Sequence, residues 1–306
     1  MIWEGDSYLK LKINHSIEII DLKLKIILEN YKQLMNNPIF SIIIPTYNRC
    51  YILWRAIQSI LAQTYPFFEI LIIDDGSSDD TEKLVRQFSD PRVRYFKLKK
   101  NSGPAKARNF GLKKAKGKYI AYLDSDNEWH KEYLEIMLKG FKNYSSKVLL
   151  FCKKNYRLIL VDKDGKEKNI RDEFSNHKKY FDFKRLWQRR IMIDTNTICH
   201  KRDEILKLGG WDENLKFWED WELTLRISQK YPNGFLYLNR TLLDYEQKID
   251  LSQANKIFSI WEREEKKIFN KHKGHPLLDG QNWFPPQKGN KSTLGVVEYL
   301  RNKHKS

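Results

Sequence analysis

Two acidic clusters stand where apolar runs end, and each offers its own chemistry. Asp75 closes the run ILIIDD and precedes Gly76 and Ser77. Its carboxylate therefore projects from a strand end where the backbone turns sharply, placed to accept the N3 proton of a uracil ring. Asp124 and Asp126 follow YIAYL with one residue between them. Hard oxygen ligands at a strand end suit magnesium or manganese, which take a few carboxylates and complete their shell with substrate phosphates. A D-x-D triplet by itself describes a solvated turn, and DDGSSDDT by itself describes an acidic turn feeding a helix capped by Ser78 or Asp79. Position separates the metal reading from the solvated one: two carboxylates ending a buried strand repel each other unless a cation or donors compensate them.

The elements that must position these residues begin at Phe40. Short apolar runs that do not alternate (FSIIIP, FEILIID, VRYFKL, KYIAYLD) are separated by amphipathic stretches (CYILWRAIQSILAQ, DTEKLVRQF, PAKARNFGLKKA). This pattern predicts an α/β fold with a doubly wound, mostly parallel sheet covered by helices, whose ligands bind at the carboxyl ends of the strands. After Leu138 the pattern loosens. VLLFC and YRLILVDKDGKEKNI read as strands, the second with an Asp164–Gly165 turn, RLWQRRIMIDTNTICH leads to another, and a helix starts near Glu219 with Leu223 and Ile227 on one face. Three parts follow: an accessory piece over 1–38, a main domain over 39–250 with halves meeting at 138/139, and a helix with a loosely ordered tail over 251–306. Within the accessory piece Leu9, Leu11 and Ile13 alternate as in a strand. Leu24, Ile27, Leu28, Tyr31 and Leu34 form the face of a helix with Asp21 as its N-cap. Because Glu29, Asn30 and Gln33 mix with its lysines, this helix is expected to pack on the main domain rather than lie on a membrane.

Composition bounds the rest. The chain has 306 residues, enough to bury a sizeable core, and a formal net charge of +17. Between Lys142 and Arg190 fifteen Lys and Arg stand against six Asp and Glu, so this segment attracts something anionic: an acidic glycan, acidic lipid headgroups or nucleic acid. Nucleic-acid binding draws on basic residues interleaved with aromatics in HKKYFDFKRLWQRR. It ranks second, because the basic excess lies outside the strand-end motifs and the acidic clusters repel a phosphate backbone. The three cysteines, Cys50, Cys152 and Cys199, lack zinc or redox spacing and are expected to be reduced. No run reaches the ~20 apolar residues of a spanning helix. The expected location is the cytoplasm, with peripheral contact at the inner membrane face.

Four ordered segments bring a family into view: SIIIPTYNR at 41–49, ILIIDDGSSDDT at 70–81, NSGPAKARNFGLKKAKGKYIAYLDSDN at 101–127 and LGGWDENLKFWEDWELTLRI at 208–227. From about Phe40 to Gln247 the chain resembles glycosyltransferase family 2, the inverting enzymes of the GT-A fold. The resemblance implies that Thr46, Tyr47 and Arg49 line a nucleoside pocket and that Asp75 contacts the base. It sets Arg108 near the base or the phosphates, Asp124 near the ribose and a manganese or magnesium ion, and Asp126 on that ion directly. It makes the acidic pair Glu219 and Asp220 the source of the catalytic base, of which we choose Asp220. A carboxylate at a helix N-terminus is expected to be held ionised by the dipole, available as a base but a weaker one. Glu219 and Trp218 belong to the acceptor side. His200 stays out of the metal set, since a lone strand-end histidine is more often structural. The implied reaction is a single displacement on a nucleoside-diphosphate sugar, UDP by the family's habit, with a glycan or lipid-linked acceptor. A catalytically silent nucleotide-sugar-binding protein is the remaining alternative, and no missing motif favours it.

Overall fold

The computed structural model describes residues 37–161, 166–171, 186–187, 193–250 and 254–272, together with 15, 17–25, 29, 164 and 274. An inner strand of its parallel half is β1 (Phe40–Thr46), every residue of which is buried. β2 (Phe68–Asp74) and β4 (Tyr119–Tyr122) flank it in parallel register, with Phe40 opposite both Phe68 and Tyr119, and β3 (Val93–Lys97) continues the parallel set beyond β2. Such strands are covered on both faces, which is why their sequences are unbroken apolar runs. Ile42 and Ile44 pack with Leu53, Ala56, Ile57 and Ile60 of α1 (Leu53–Leu61), whereas Ile43 faces Ala105, Ala107 and Leu112 of α3 (Pro104–Lys114). At Gly111 a Cβ would stand 2.6 Å from the Ile43 side chain, so the missing side chain lets α3 lie close on the sheet. The short α2 (Thr81–Val85) links β2 to β3.

The second half extends the same sheet with mixed directions. β8 (Ile198–Lys201) runs antiparallel to β4, β6 (Leu149–Val161) antiparallel to β8, and β9 (Phe235–Asp250) parallel to β6, while β5 (Glu128–Trp129) closes the far edge on β9. β7 (Glu167–Arg171) folds back on β6. Among the described residues this gives one nine-stranded sheet. VLLFC and YRLILV, expected as two strands, are one: β6 passes through Lys153 and Asn155 with irregular pairing rather than a break. The expected turn at Asp164 joins β6 to β7. α4 (Tyr133–Asn143), α5 (Arg202–Lys207) and α6 (Glu219–Lys230) cover the sheet. α7 (Ala254–His272) docks through fully buried Ile268 and a Lys271–Asp212 ion pair of 2.7 Å.

Two expectations at the amino terminus change. Residues 17–20 are already helical ahead of Asp21, so Asp21 is not the N-cap. Nothing between His15 and Asp21 is a Gly or Pro, and a helix propagates through an Asp it does not need as a cap. Leu24, expected against the main domain, is 50% exposed, as Ile17, Ile20 and Leu22 are exposed. The expected strand at 9–13, the face residues Ile27, Leu28, Tyr31 and Leu34, and the tail beyond Gly274 lie outside the described residues.

Candidate active site

The parallel strands end on one edge of the sheet, and their last residues open into the loops that carry the motifs. Thr46 is buried, and its Oγ1 makes no hydrogen bond among the described atoms. Beyond it Tyr47 stands 44% exposed. Asn48 adopts a left-handed backbone (φ 51°), which lets its N–H donate to Ser77 Oγ at 2.8 Å and its Oδ1 accept the Ser78 N–H at 2.9 Å. The PTYNR and DDGSS loops are thereby stitched together. Gly76 (φ 85°) turns the second loop where a Cβ would meet the Lys100 backbone at 3.0 Å. The N-cap of α2 is Asp80, whose side chain makes no capping bond, rather than the expected Ser78 or Asp79. Asp79, one residue earlier, takes the Thr81 N–H at 3.1 Å and is pulled down to about 2, since burial opposes its charge but bonds from Thr81 and Cys50 prevail.

Asp75, the expected base-reading group, has its carboxylate over the N-terminus of α3. It accepts the Ser102 N–H at 2.9 Å and the Gly103 N–H at 2.7 Å. Burial raises its pKa, and the two backbone donors offset part of that rise.

Arg108 organises the centre. It projects from α3 and is almost wholly buried, donating from Nη2 to Asp124 Oδ1 at 2.9 Å and from Nη1 to Glu219 Oε1 at 2.8 Å. Below it the Trp211 ring lies 4.9 Å from the guanidinium carbon. Burial opposes the charge, but the two carboxylates hold it well above the usual arginine range. Sequence reasoning sets this side chain near the base or phosphates. The structure shows it bridging the D-x-D loop to the acidic pair 111 residues further on.

Asp124 is also held from the other side, by a residue that sequence reasoning missed. Its N–H donates to Asn196 Oδ1 at 2.6 Å, and its Oδ2 accepts from Asn196 Nδ2 at 2.8 Å. Behind Asn196 stands Asp194, ion-paired with Lys154 at 2.8 Å. The only signal was a D-x-N triplet before a strand, and nothing local separates that from an ordinary turn. Asp126 pairs with Arg49 Nη1 at 3.1 Å, and its pKa is raised by burial and then by the Asp124 charge.

Asp220 sits in the first turn of α6. Its Oδ1 accepts the Trp221 N–H at 2.7 Å, and its pKa rises to about 7 through burial, then through the neighbouring charges of Glu219 and Asp194. This corrects the expected weak, dipole-held carboxylate: removal from water and two like charges outweigh the helix terminus. Trp218 precedes it in a left-handed conformation (φ 64°), its ring 5.3 Å from that of Trp261 on α7. His200 is structural, as expected. Its Nδ1 bonds the Lys201 carbonyl at 3.1 Å and its Nε2 the Tyr122 hydroxyl at 3.0 Å, while burial lowers its pKa to about 4 and leaves it neutral. Cys152 and Cys199 are buried free thiols, and Cys50 is free and partly exposed.

Among the described residues no group of three or more His, Cys, Asp and Glu is arranged to hold a metal. The donors present are Asp124 and Asp126, two hard carboxylates in a partly buried site, with Asp126 met by a 40% exposed Arg49 side chain and by the Asn127 amide at 3.3 Å. That set fits a magnesium or manganese ion whose other ligands come from substrate phosphates and water. It does not fit a closed protein cage.

A mixed sheet whose parallel half ends in nucleotide-type loops, with an acidic pair brought to the D-x-D carboxylates, defines a GT-A glycosyltransferase architecture. Residues 41–207, more than half of the chain, match the family model described as glycosyl transferase family 2, and the chain belongs to that family. An uncharacterized glycosyltransferase of Rickettsia conorii is 54% identical over 35% of this chain, a match covering 18% of that protein's length. The Escherichia coli protein WfgD, a UDP-Glc:alpha-D-GlcNAc-diphosphoundecaprenol beta-1,3-glucosyltransferase, is 40% identical over 41% of this chain and 48% of its own. Staphylococcus aureus TarS in complex with UDP-GlcNAc shares the fold at TM-score 0.58 and 20% identity, over 76% of this chain and 66% of that one. The Pyrobaculum calidifontis mannosyltransferase PcManGT with GDP-Man and Mn2+ shares it at 0.57 and 18%, over 86% and 70%. Among the described residues no helix is long and apolar enough to cross a membrane.

Proposed function

We propose that this glycosyltransferase moves a sugar from a nucleoside diphosphate, UDP in first place, to a hydroxyl of a glycan or lipid-linked acceptor, with inversion, and that Asp220 is its base. The observation carrying this reading is the Arg108 bridge. One guanidinium bonds Asp124 and Glu219, the residue next to the candidate base, which supports reading the cation carboxylates and the acidic pair as parts of one site. UDP is favoured by the donor in the WfgD name and by the UDP-GlcNAc bound to TarS. The GDP-Man of PcManGT keeps guanosine as the comparison.

In this mechanism Thr46, Tyr47 and Asp75 receive the nucleoside, Trp218 and Glu219 face the acceptor, and Asp124 and Asp126 hold the cation. When bound, a divalent cation supplies charge neutralisation to the departing diphosphate. Arg49, linked to Asp126 through one nitrogen and half in solvent, turns onto the same diphosphate. Asp220 takes the proton of the attacking hydroxyl. A pKa of about 7 makes it a stronger base than an ordinary aspartate while leaving much of it ionised at neutral pH.

Asp220→Asn is expected to lower turnover by at least ~10²-fold while nucleotide affinity stays unchanged. Asp126→Ala is expected to lose turnover together with manganese-dependent nucleotide binding. Transfer or hydrolysis of UDP-sugars, followed with calorimetric titration of UDP and GDP, checks both. Normal turnover by Asp220→Asn would remove it from the role of base.

A further inference from the structure

We propose that Asn196, anchored by Asp194 and Lys154, is the positioning residue for Asp124: a clamp from the second half of the chain that fixes this carboxylate for the cation that accompanies the nucleotide. The proposal rests on the function proposed above and deepens it.

Asp124 is the second residue past the end of β4. The last ladder-like bond there is Leu123 N–H to the Ile43 carbonyl at 3.2 Å, so the Asp124 N–H has no strand partner and turns to Asn196. The same amide group grips the Asp124 carboxylate through Nδ2. A side-chain amide carries an acceptor and a donor side by side, and here one meets the backbone and the other the carboxylate of a single residue. An aspartate in its place would present a second acceptor to an acceptor. Which way the amide faces is decided by its surroundings, because Nδ2 also donates to Asp194 Oδ1 at 2.9 Å and both carboxylates only accept.

The anchor is itself fixed. Asp194 Oδ1 also takes the Asn196 N–H at 2.8 Å, its Oδ2 takes Lys154 Nζ at 2.8 Å, and the Asn196 carbonyl accepts Trp129 Nε1 at 2.9 Å. With Arg108 on Oδ1, the chain Lys154, Asp194, Asn196, Asp124, Arg108, Glu219 is a continuous series of hydrogen-bonded side chains from β6 to α6. A purely structural task, holding β8 to β4, is already met by the pairing of Tyr119, Ile120 and Ala121 with Lys201, His200 and Cys199. What Asn196 adds is the orientation of one carboxylate.

Asn196→Asp keeps the size of the side chain and the acceptor for the Asp124 N–H, and removes the donor. It is expected to weaken the manganese-dependent affinity for UDP by about tenfold or more, to leave the affinity for UDP without manganese unchanged, and to lower kcat even at saturating nucleotide sugar. Lys154→Met, a partly exposed position 23% accessible at its side chain, is expected to shift the same quantities in the same direction by less, and decides the matter if the first variant does not fold. Calorimetric titration of UDP and of GDP, with and without manganese, reads both. Wild-type binding behaviour in the variants, or a loss equal with and without manganese, would overturn the clamp. A wild-type protein whose affinity for both nucleotides ignores manganese would instead overturn the function on which it rests.

Discussion

Asp220, the proposed base, ties the expected pH dependence of the site to one titration. Its pKa of about 7 comes from burial first and from the acidic neighbours Glu219 and Asp194 second, with Arg108 pulling the other way. A base must be ionised to act, so turnover should rise with pH and level off above about 7, standing near a tenth of its plateau at about pH 6. Initial rates of UDP-sugar turnover from pH 5 to 9 check this, and a flat profile through neutrality would contradict it. The same shift bears on stability with a definite sign. The folded pKa lies above the unfolded value near 3.8, so the stability that the bound proton contributes is fully present below about pH 4 and is lost as pH rises through about 7. Asn at this position has no proton to lose, and thermal melts of Asp220→Asn should therefore gain on the wild type across that window. At this scale the motif residues were legible, because Asp75, Asp124, Asp126 and Asp220 each stand at the end or start of a strongly patterned element. Asn196 was not. Its meaning comes from β8 pairing with β4, which brings it to a carboxylate 72 residues away.

At the scale of elements, the site depends on how α6 is seated. Glu222, two residues past the candidate base and fully buried, takes Arg226 at 2.7 Å and Lys271 of α7 at 2.6 Å. Arg226 in turn donates to the Leu208 and Gly210 carbonyls, so one ion-paired cluster locks α6 to the GGW loop and to α7. Burial opposes the Glu222 charge, but His272, Arg226 and Lys271 hold its pKa down to about 2. The stabilisation is therefore present above about pH 4.5, the ordinary glutamate value, and is lost as pH falls toward 2. Glu222→Ala removes the fully buried carboxylate that Arg226, Lys271 and His272 converge on and should cost about 3 kcal/mol, read as a lowered denaturation midpoint in urea. Unchanged stability would show that the cluster is not what seats the helix. The parallel half of the fold was legible because strands covered on both faces are apolar throughout, and Ile42, Ile43 and Ile44 supply two cores at once. The second half was less so. A strand such as β6, whose apolar runs are interrupted by Lys153, Lys154 and Arg157 and whose partners β8 and β9 lie far along the chain, announces its existence but not its neighbours or its length.

For the whole molecule the unassigned quantity is charge. A net +17 with a basic excess in the 142–190 segment sits beside a site whose visible carboxylates, Asp124, Asp126, Glu219 and Asp220, are acidic. The opposition separates two tasks: the acidic edge suits a cation and a hydroxyl proton, and the basic remainder suits an anionic acceptor or the surface that bears it. If the acceptor is lipid-linked, as proposed above, its hydroxyl would go to Asp220 while the basic excess of the sequence would attract the phosphates or headgroups that bear it. Attraction of this origin is screened over about 10 Å at 0.1 M salt and about 3 Å at 1 M. The protein should therefore co-sediment with vesicles containing phosphatidylglycerol at low salt, release them as salt is raised, and ignore vesicles of phosphatidylcholine alone. Retention at high salt would point to inserted apolar side chains instead, with the exposed Ile17, Ile20 and Leu24 as the first to replace. Failure to bind at low salt would detach the basic excess from the acceptor altogether. Tight binding of an unrelated oligonucleotide in the same titration would hand that excess to nucleic acid.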